Sequence, residues 1–347
     1  MQQSNRLKNH FDLANSRYTQ LKNIDDIIAS KFNDFNLRNY AEPGFTKILN
    51  IGIGNGLELI TLRKIYSEDR IKIIGIDISP TSIDLTKNLL SKHSIDPCQV
   101  ELVTCNAKSL PFPNKYVDII FMNSLLHEVV SYSKNWGEAW ESAIHEAYRV
   151  LTPGGLLYIE DFTAANISGY IKIIFKSELA KNFYTYFRNE YRFFRSWGKE
   201  GAKSFKKDRE LVIKNLPILK KSEDTILLGS ALALELLTHF KIFNNDFNNG
   251  LVALGDKEWI EINERYYISP DGIQNLTGTE QYVKKILNIV NGGKQLKSQL
   301  KCLKSEEIER NNFLEDIQIN FSANTESGED FIKMSSKKMK LLFKKVI

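Results

Sequence analysis

The chain has 347 residues, 42% of them hydrophobic and 26% charged, which is the composition of a soluble globular protein with room for about two domains. Its net charge of +5 is mild for that length and does not by itself argue for nucleic acid. Cys98, Cys105 and Cys302 are odd in number and far apart, which excludes both a disulfide framework and a cysteine metal site and suits a reducing cytoplasm.

The first ten residues, M-Q-Q-S-N-R-L-K-N-H, contain no apolar stretch of the secretory kind. Residues 1–45 are polar, with apolar positions such as Ile24, Ile27, Ile28 and Phe32 at helical spacing. Lys47 to Gly56 then reads K-I-L-N-I-G-I-G-N-G. An apolar strand ends in glycines at 52, 54 and 56, and a helix-like run follows from Leu57 to Leu62. Strand, glycine turn and helix form the nucleoside- or phosphate-binding corner of a doubly wound sheet, where the backbone turns tightly and a ligand approaches without a Cβ in its way. Position 57 is Leu57, so the glycine spacing is not that of a dinucleotide fold, and no Gly-Lys-Ser/Thr follows, so it is not a P-loop.

Arg70 to Asp77, R-I-K-I-I-G-I-D, is a second buried strand, and its terminal carboxylate suits both ribose hydroxyls of a nucleoside lying across the turn. Ser79 and Pro80 supply an N-cap and a first helical residue. A third strand, from Val100, leads into Asn106-Ala107 and then Leu110-Pro111-Phe112. Tyr116 to Phe121 is the fourth strand, followed by Met122-Asn123-Ser124-Leu125-Leu126-His127-Glu128. Trp136 to Leu151 reads as a helix, Thr152-Pro153-Gly154-Gly155 as its stop, and Leu156 to Glu160 as strand five.

These motifs, in this order over residues 10–162, resemble the class I S-adenosylmethionine-dependent methyltransferases, in particular the ubiquinone/menaquinone-biosynthesis-like group of small-molecule methyltransferases. The resemblance implies an α/β fold with a doubly wound, seven-stranded, mostly parallel sheet and S-adenosylmethionine as cofactor. It implies cofactor contacts from Asn50, Gly52, Gly54, Gly56, Asp77, Ile78, Asn106, Ala107 and Asn123. It also implies a lid over cofactor and substrate from the stretch holding Phe11, Ala14 and Tyr18, with Tyr18 at the cofactor. Two positions depart from the family. Asn50 and Asn106 stand where acids are usual, and an amide accepts hydrogen bonds without charge assistance.

Beyond Ala164 the resemblance fades. The family closes its sheet with two further strands, and Leu314–Phe321 and Lys338–Val346 are the expected ones. The resulting division is a helical lid over 1–45, a core over 46–164, a mainly helical insertion over 165–312 covering the substrate, and closing strands over 313–347. The apolar run from Ile226 to Leu237 contains Glu235, is too short to span a bilayer, and reads as a buried helix. Between Arg188 and Lys221 the insertion carries 11 Lys/Arg against 4 Asp/Glu, interleaved with aromatics. That pattern suits an anionic substrate, an acidic carrier protein, RNA or a membrane face, or else a helical cap with an aromatic core and solvated bases.

His127 is the best general base, with Glu160 and Asp161 at the tip of strand five as the weaker alternatives. Arg188, Arg192 and Arg195 would contact an anion, and Tyr266, Tyr267 and the aromatics from Phe183 to Trp197 would wall the acceptor. No metal-ligand pattern is present. The expected function is methyl transfer to an oxygen or carbon of a small, partly apolar, anionic or carrier-bound metabolite, by a cytoplasmic enzyme that a homodimer would suit. RNA methylation remains an alternative, although the Asn/Asp-Pro-Pro-Tyr/Phe tetrapeptide is absent after strand four. A binding protein that kept the fold and lost catalysis is the other.

Overall fold

The computed structural model describes residues 37–346 apart from 69, 97, 132–135, 191–221, 251–252, 255–277, 293–298, 310 and 336. The main sheet is built from β1 (Lys47–Ile51), β2 (Lys72–Asp77), β3 (Val100–Thr104), β4 (Val117–Asn123), β5 (Leu151–Thr163), β8 (Gln299–Glu309) and β10 (Lys337–Val346). Their spatial order is β3-β2-β1-β4-β5-β10-β8. The first five are parallel, and β10 runs antiparallel to both β5 and β8, so β8 is parallel to the rest. This is the seven-stranded, mostly parallel sheet that the resemblance implied.

Strands β1 and β2 are almost continuously apolar because both sheet faces are covered. Leu49 and Ile51 share one core with Trp140, Ala143 and Ile144 of the helix Trp136–Val150 and Tyr282 of the helix Thr279–Asn291. Ile48 faces the opposite core, with Leu59 and Leu62 of the helix Leu57–Ile65 and Ile83 of the helix Pro80–Lys92. The chain leaves β1 toward β2 on one side and returns to β4 on the other. A crevice therefore opens at the carboxyl ends of β1 and β4, which is where a doubly wound sheet binds its ligand.

Two expectations about the later chain are corrected. Residues Asn311–Asn320 form a helix, and only Phe321–Asn324 (β9) is a strand, outside the main sheet. The helix buries Ile317 and leaves Ile319 71% exposed, which separates two residues that a strand would have put on one face. The strand completing the main sheet is instead Gln299–Glu309, in the stretch read as insertion. The run from Ile226 also begins as a strand, β7 (Thr225–Gly229), before the helix Ser230–Asn248 starts.

A second, smaller unit follows β5. Strands β7, β6 (Tyr170–Phe175) and β9 pair antiparallel in the order β7-β6-β9. Helices Glu178–Glu190 and Ser230–Asn248 close over a core that includes Phe183, Phe187, Phe240, Phe243, Phe321 and Phe331. Both segments that build this unit leave the main sheet at one end. Thr163, the last residue of β5, pairs with Lys337, the first of β10. Phe162 and Ala164 already belong to the second unit's core, and the Ala165 N–H donates to the Met334 carbonyl at 3.2 Å. The unit is thus rooted at the carboxyl end of β5, the end that carries Asp77 on β2 and Asn123 on β4.

Candidate active site

The glycine turn is anchored from beneath. The N–H groups of Gly52 and Ile53 donate to the Ile76 carbonyl at 2.8 and 3.1 Å, and Gly52, Gly54 and Gly56 all have positive φ. The three glycines differ in what surrounds them. A Cβ on Gly52 would lie 2.7 Å from Leu125 Cδ1, and one on Gly56 would lie 2.5 Å from Thr86 Oγ1. A Cβ on Gly54 would meet nothing within 4 Å. Two glycines therefore let neighbouring elements pack against the turn, and Gly54 alone faces open space.

This contrast makes a prediction. Gly56→Ala combines a left-handed φ, which costs about 1–2 kcal/mol in a non-glycine residue, with an overlap that typically costs about 1–3 kcal/mol. Gly54→Ala meets only the first cost. Urea denaturation of the two variants is expected to show Gly56→Ala as the less stable, while Gly54→Ala, whose methyl fills the open side of the turn, loses ligand affinity. Equal stabilities would mean that the Thr86 contact yields freely.

Asp77 sits at the tip of β2, 6% exposed. Its Oδ2 accepts from the Gly54 N–H at 3.0 Å and its Oδ1 from the Ser79 N–H at 2.8 Å. Burial pushes its carboxyl up to about 6 against these two stabilising bonds, and the nearby Glu128 carboxylate pushes in the same direction. Ile78, the next residue, is 53% exposed and offers an apolar wall for a flat ring. Ser79 caps the following helix through the Ser82 N–H with Pro80 at its start, as the sequence leads one to expect.

Asn106 and Ala107 lie beyond the tip of β3. The Asn106 Oδ1 already accepts from the Lys108 N–H at 3.0 Å, closing a local turn, so the oxygen expected to take an adenine amino group is partly committed. Cys105 is held protonated, its thiol pushed up to about 11 by burial. The loop through Leu110 and Phe112 is clamped by Arg149, which donates to both carbonyls, and by Glu146, which accepts from the Leu110 N–H at 2.7 Å.

At the next strand tip, His127 follows β4 and opens the short helix Leu126–Ser131. It is 4% exposed, and Asp161 of β5 grips it twice. Asp161 Oδ1 lies 2.7 Å from His127 Nδ1, and Oδ2 accepts from the His127 backbone N–H at 3.1 Å. Oδ1 also accepts from the Phe162 N–H at 2.8 Å. A carboxylate only accepts, so Nδ1 carries the proton, and in the neutral ring the lone pair is on Nε2. Phe162 packs edge-on against the imidazole with centroids 4.9 Å apart.

Glu160 faces the other side of the sheet, 1% exposed. It accepts from Lys338 at 3.1 Å and from the Tyr158 hydroxyl at 3.2 Å. Lys338 also donates to Ser124, the positive-φ residue that follows Asn123. This pair, buried at Glu160 and half-buried at Lys338, ties the start of β10 to the tips of β4 and β5. Asp161 as the partner of His127, and Lys338 as the partner of Glu160, were not legible in the sequence because each pairing joins residues far apart in the chain.

Asn50 lies under the turn, fully buried, and both polar atoms of its side chain lack a hydrogen-bond partner. A polar group orphaned this way normally costs about 1–3 kcal/mol, a cost that a polar ligand at the turn would offset. An open Gly54, a carboxylate at the tip of β2 and an apolar Ile78 beside it fit an adenosine carrying a polar tail. The residues present thus suit S-adenosylmethionine.

Other expected site residues are not brought together here. Phe183 and Phe187 are buried in the second unit's core and do not line a crevice. Tyr18, Arg192, Arg195, Tyr266 and Tyr267 lie outside the described residues, as do the Arg188 side chain, the stretch read as a lid and the basic run through Lys221. Among the described residues, no cluster of His, Cys, Asp and Glu could hold a metal ion, and no helix is long and apolar enough to cross a membrane.

Comparison with known proteins agrees with the geometry. A family model described as a methyltransferase domain matches residues 49–159. The chain is 30% identical over 123 residues to the ubiquinone/menaquinone biosynthesis C-methyltransferase UbiE of Vibrio campbellii, covering 35% of this chain and 43% of that protein. It is 32% identical over 138 residues to the demethylmenaquinone methyltransferase of Listeria welshimeri, covering 38% and 50%. The chain therefore spans at most half the length of these curated relatives. Among solved structures, a SAM-dependent methyltransferase from Methanosarcina mazei aligns over 90% of this chain and 97% of its own, at 15% identity and a TM-score of 0.41. The glycine corner, the carboxylate at the tip of β2 and the sequence matches converge: residues 49–159 match a methyltransferase domain and are similar to the UbiE-like class I S-adenosylmethionine-dependent methyltransferases.

Proposed function

We propose that this chain transfers a methyl group from S-adenosylmethionine to an oxygen or carbon of a small, partly apolar acceptor. The observation that carries the reading is the His127–Asp161 pair, placed at the tips of β4 and β5 next to the glycine turn. S-adenosylmethionine supplies a methyl group already activated on a sulfonium. The protein's task is to align an acceptor with it, exclude water and take up the acceptor's proton where there is one.

Asp77 and the turn at Gly54 would hold the adenosine end, and Ile78 one face of its ring. Asp161 fixes both the backbone and the ring of His127, so that in the neutral ring Nε2 carries the lone pair a base needs. Phe162 buttresses the imidazole, and the second unit, rooted at Phe162 and Ala164, would close over the acceptor and keep the site dry. A proton-bearing acceptor, a hydroxyl or an activated carbon, fits this arrangement because a base is provided. The menaquinone and ubiquinone methyltransferases to which the chain is similar agree with a partly apolar acceptor. An anionic or carrier-bound form of that acceptor would draw on the basic run after Arg188.

The test is transfer of tritiated methyl from S-adenosylmethionine to fractionated cell extract. Label recovered in small, organic-extractable molecules and unaffected by ribonuclease supports the reading. Label that disappears on ribonuclease treatment favours RNA as acceptor.

A further inference from the structure

The proposed function uses one carboxylate beside the glycine turn, and the phase of the helix after β4 leads a second toward it. Asp77 stands on one side, hydrogen-bonded to the Gly54 N–H. The other belongs to Glu128 and follows from how the helix after β4 is seated. The Leu125 side chain fills the space left by Gly52, with Cδ1 only 2.7 Å from where a Cβ would be. The Val129 N–H donates to the Leu125 carbonyl at 2.9 Å, so the helical turn begins at Leu125. Residues three apart share a helix face, which sets Glu128, half-buried, on the same face as Leu125 and above the turn. The electrostatic influence of Glu128 on Asp77 agrees with this placement across the crevice.

The cofactor's amino-acid end is a zwitterion, and its ammonium needs a countercharge where it leaves the turn. Asn50 cannot supply one. Its amide is neutral. We infer that Glu128 is the counter-ion for the ammonium group at the amino-acid end of the cofactor, with Asp77 serving the ribose at the other end. The inference rests on the reading of the site as an S-adenosylmethionine site. It adds a binding residue that the glycine motif does not contain, and it explains how this chain can work with an amide at position 50.

The experiment is calorimetry on the full chain with three ligands: S-adenosylmethionine, S-adenosylhomocysteine and 5′-methylthioadenosine, which keeps the nucleoside and lacks the amino-acid end. Glu128→Gln is expected to weaken the first two by roughly 10- to 100-fold, the span for hydrogen bonds to a charged group. Methylthioadenosine binding and the melting temperature should stay at their wild-type values. Glu58→Gln, which neutralises the half-buried carboxylate at the start of the next helix, should leave all three affinities in place. An unchanged S-adenosylhomocysteine affinity in Glu128→Gln, an equal loss for methylthioadenosine, or a loss in Glu58→Gln in its stead would each overturn the assignment. Failure of the wild type to bind any of the three would overturn the cofactor reading itself, which separates the two claims.

Discussion

His127→Ala is expected to lower kcat by about 10²–10⁴-fold, the usual size of a general-base contribution. Its affinity for S-adenosylhomocysteine should stay near the wild-type value, because in the proposed arrangement the imidazole would face the acceptor and the adenosine would be held at Asp77 and Gly54. The structure adds a sharper companion. Asp161 accepts three hydrogen bonds, from His127 Nδ1, the His127 N–H and the Phe162 N–H, at 2.7, 3.1 and 2.8 Å. Asp161→Asn keeps the shape but replaces one accepting oxygen with a donor. If the amide NH2 faces the ring, Nδ1 must become the acceptor, which moves the proton to Nε2 and removes the base. Asp161→Asn should therefore lose turnover and retain cofactor binding, and its pH–rate profile should lose the wild-type limb assigned to the base. A His127→Ala variant with full turnover would leave orientation alone as the source of the rate. One that lost cofactor affinity would make His127 a structural part of the crevice.

The cofactor corner was legible because it is local. Strand, glycine turn and helix occupy Lys47–Ile65 without a break, and the carboxylate at Asp77 ends the next apolar strand. Burial on both faces makes such strands continuously apolar, and glycines are favoured where φ is positive or another element comes close. The edge of the sheet was not legible, for equally physical reasons. Among the described residues, no strand lies beyond β8, and its eleven residues include only three large aliphatics, Leu300, Leu303 and Ile308. A register shift against β10, between Leu342 and Phe343, interrupts its alternation, and charges run through the rest, with Lys304 paired to Glu306 and Lys337 to Glu307. Charges and irregular pairing of this kind protect an exposed edge and also disguise it as a polar loop. Leu314–Phe321 misleads in the opposite sense. Its Ile317, Ile319 and Phe321 alternate like a strand, while Leu314 and Ile317 also stand at helical spacing, and such short runs do not distinguish the two.

The His127–Asp161 pair was half legible. His127 stands out by residue type and by its place after β4, but Asp161 is 34 residues away and becomes its partner only because β4 and β5 are neighbours in register, with Asn123 opposite Glu160. The aromatics at 183 and 187 misdirected the substrate assignment, because a helix with that spacing buries them in the core of the second unit. Residue type alone cannot separate an aromatic that walls a pocket from one that fills a core.

Asp77→Ala is expected to weaken S-adenosylhomocysteine binding by about 10- to 100-fold, equivalent to about 1.5–3 kcal/mol for hydrogen bonds to a charged group. The wild-type affinity should also depend on pH. Burial holds the Asp77 carboxyl near 6, and only the ionised form accepts both ribose hydroxyls while keeping the Gly54 and Ser79 N–H bonds. From pH 5 to pH 7 the ionised fraction rises about tenfold, so calorimetric affinity should rise by about the same factor and level off above pH 7. Stability moves the other way. A carboxyl whose pKa is raised on folding binds more protons in the folded state than in the unfolded one. The stability this proton uptake contributes is complete below about pH 4 and is lost as pH rises through 6. Two pH units correspond to about 3 kcal/mol. Asp77→Asn carries no such titration, so its stability relative to the wild type should improve by up to about 3 kcal/mol between pH 4 and pH 7, read by urea denaturation without ligand. The same variant should bind S-adenosylhomocysteine poorly and with no inflection near pH 6. A pH-independent wild-type affinity would mean that the ribose contact lies elsewhere. The unfavourable burial of Asp77 would then be a packing cost with no return in binding.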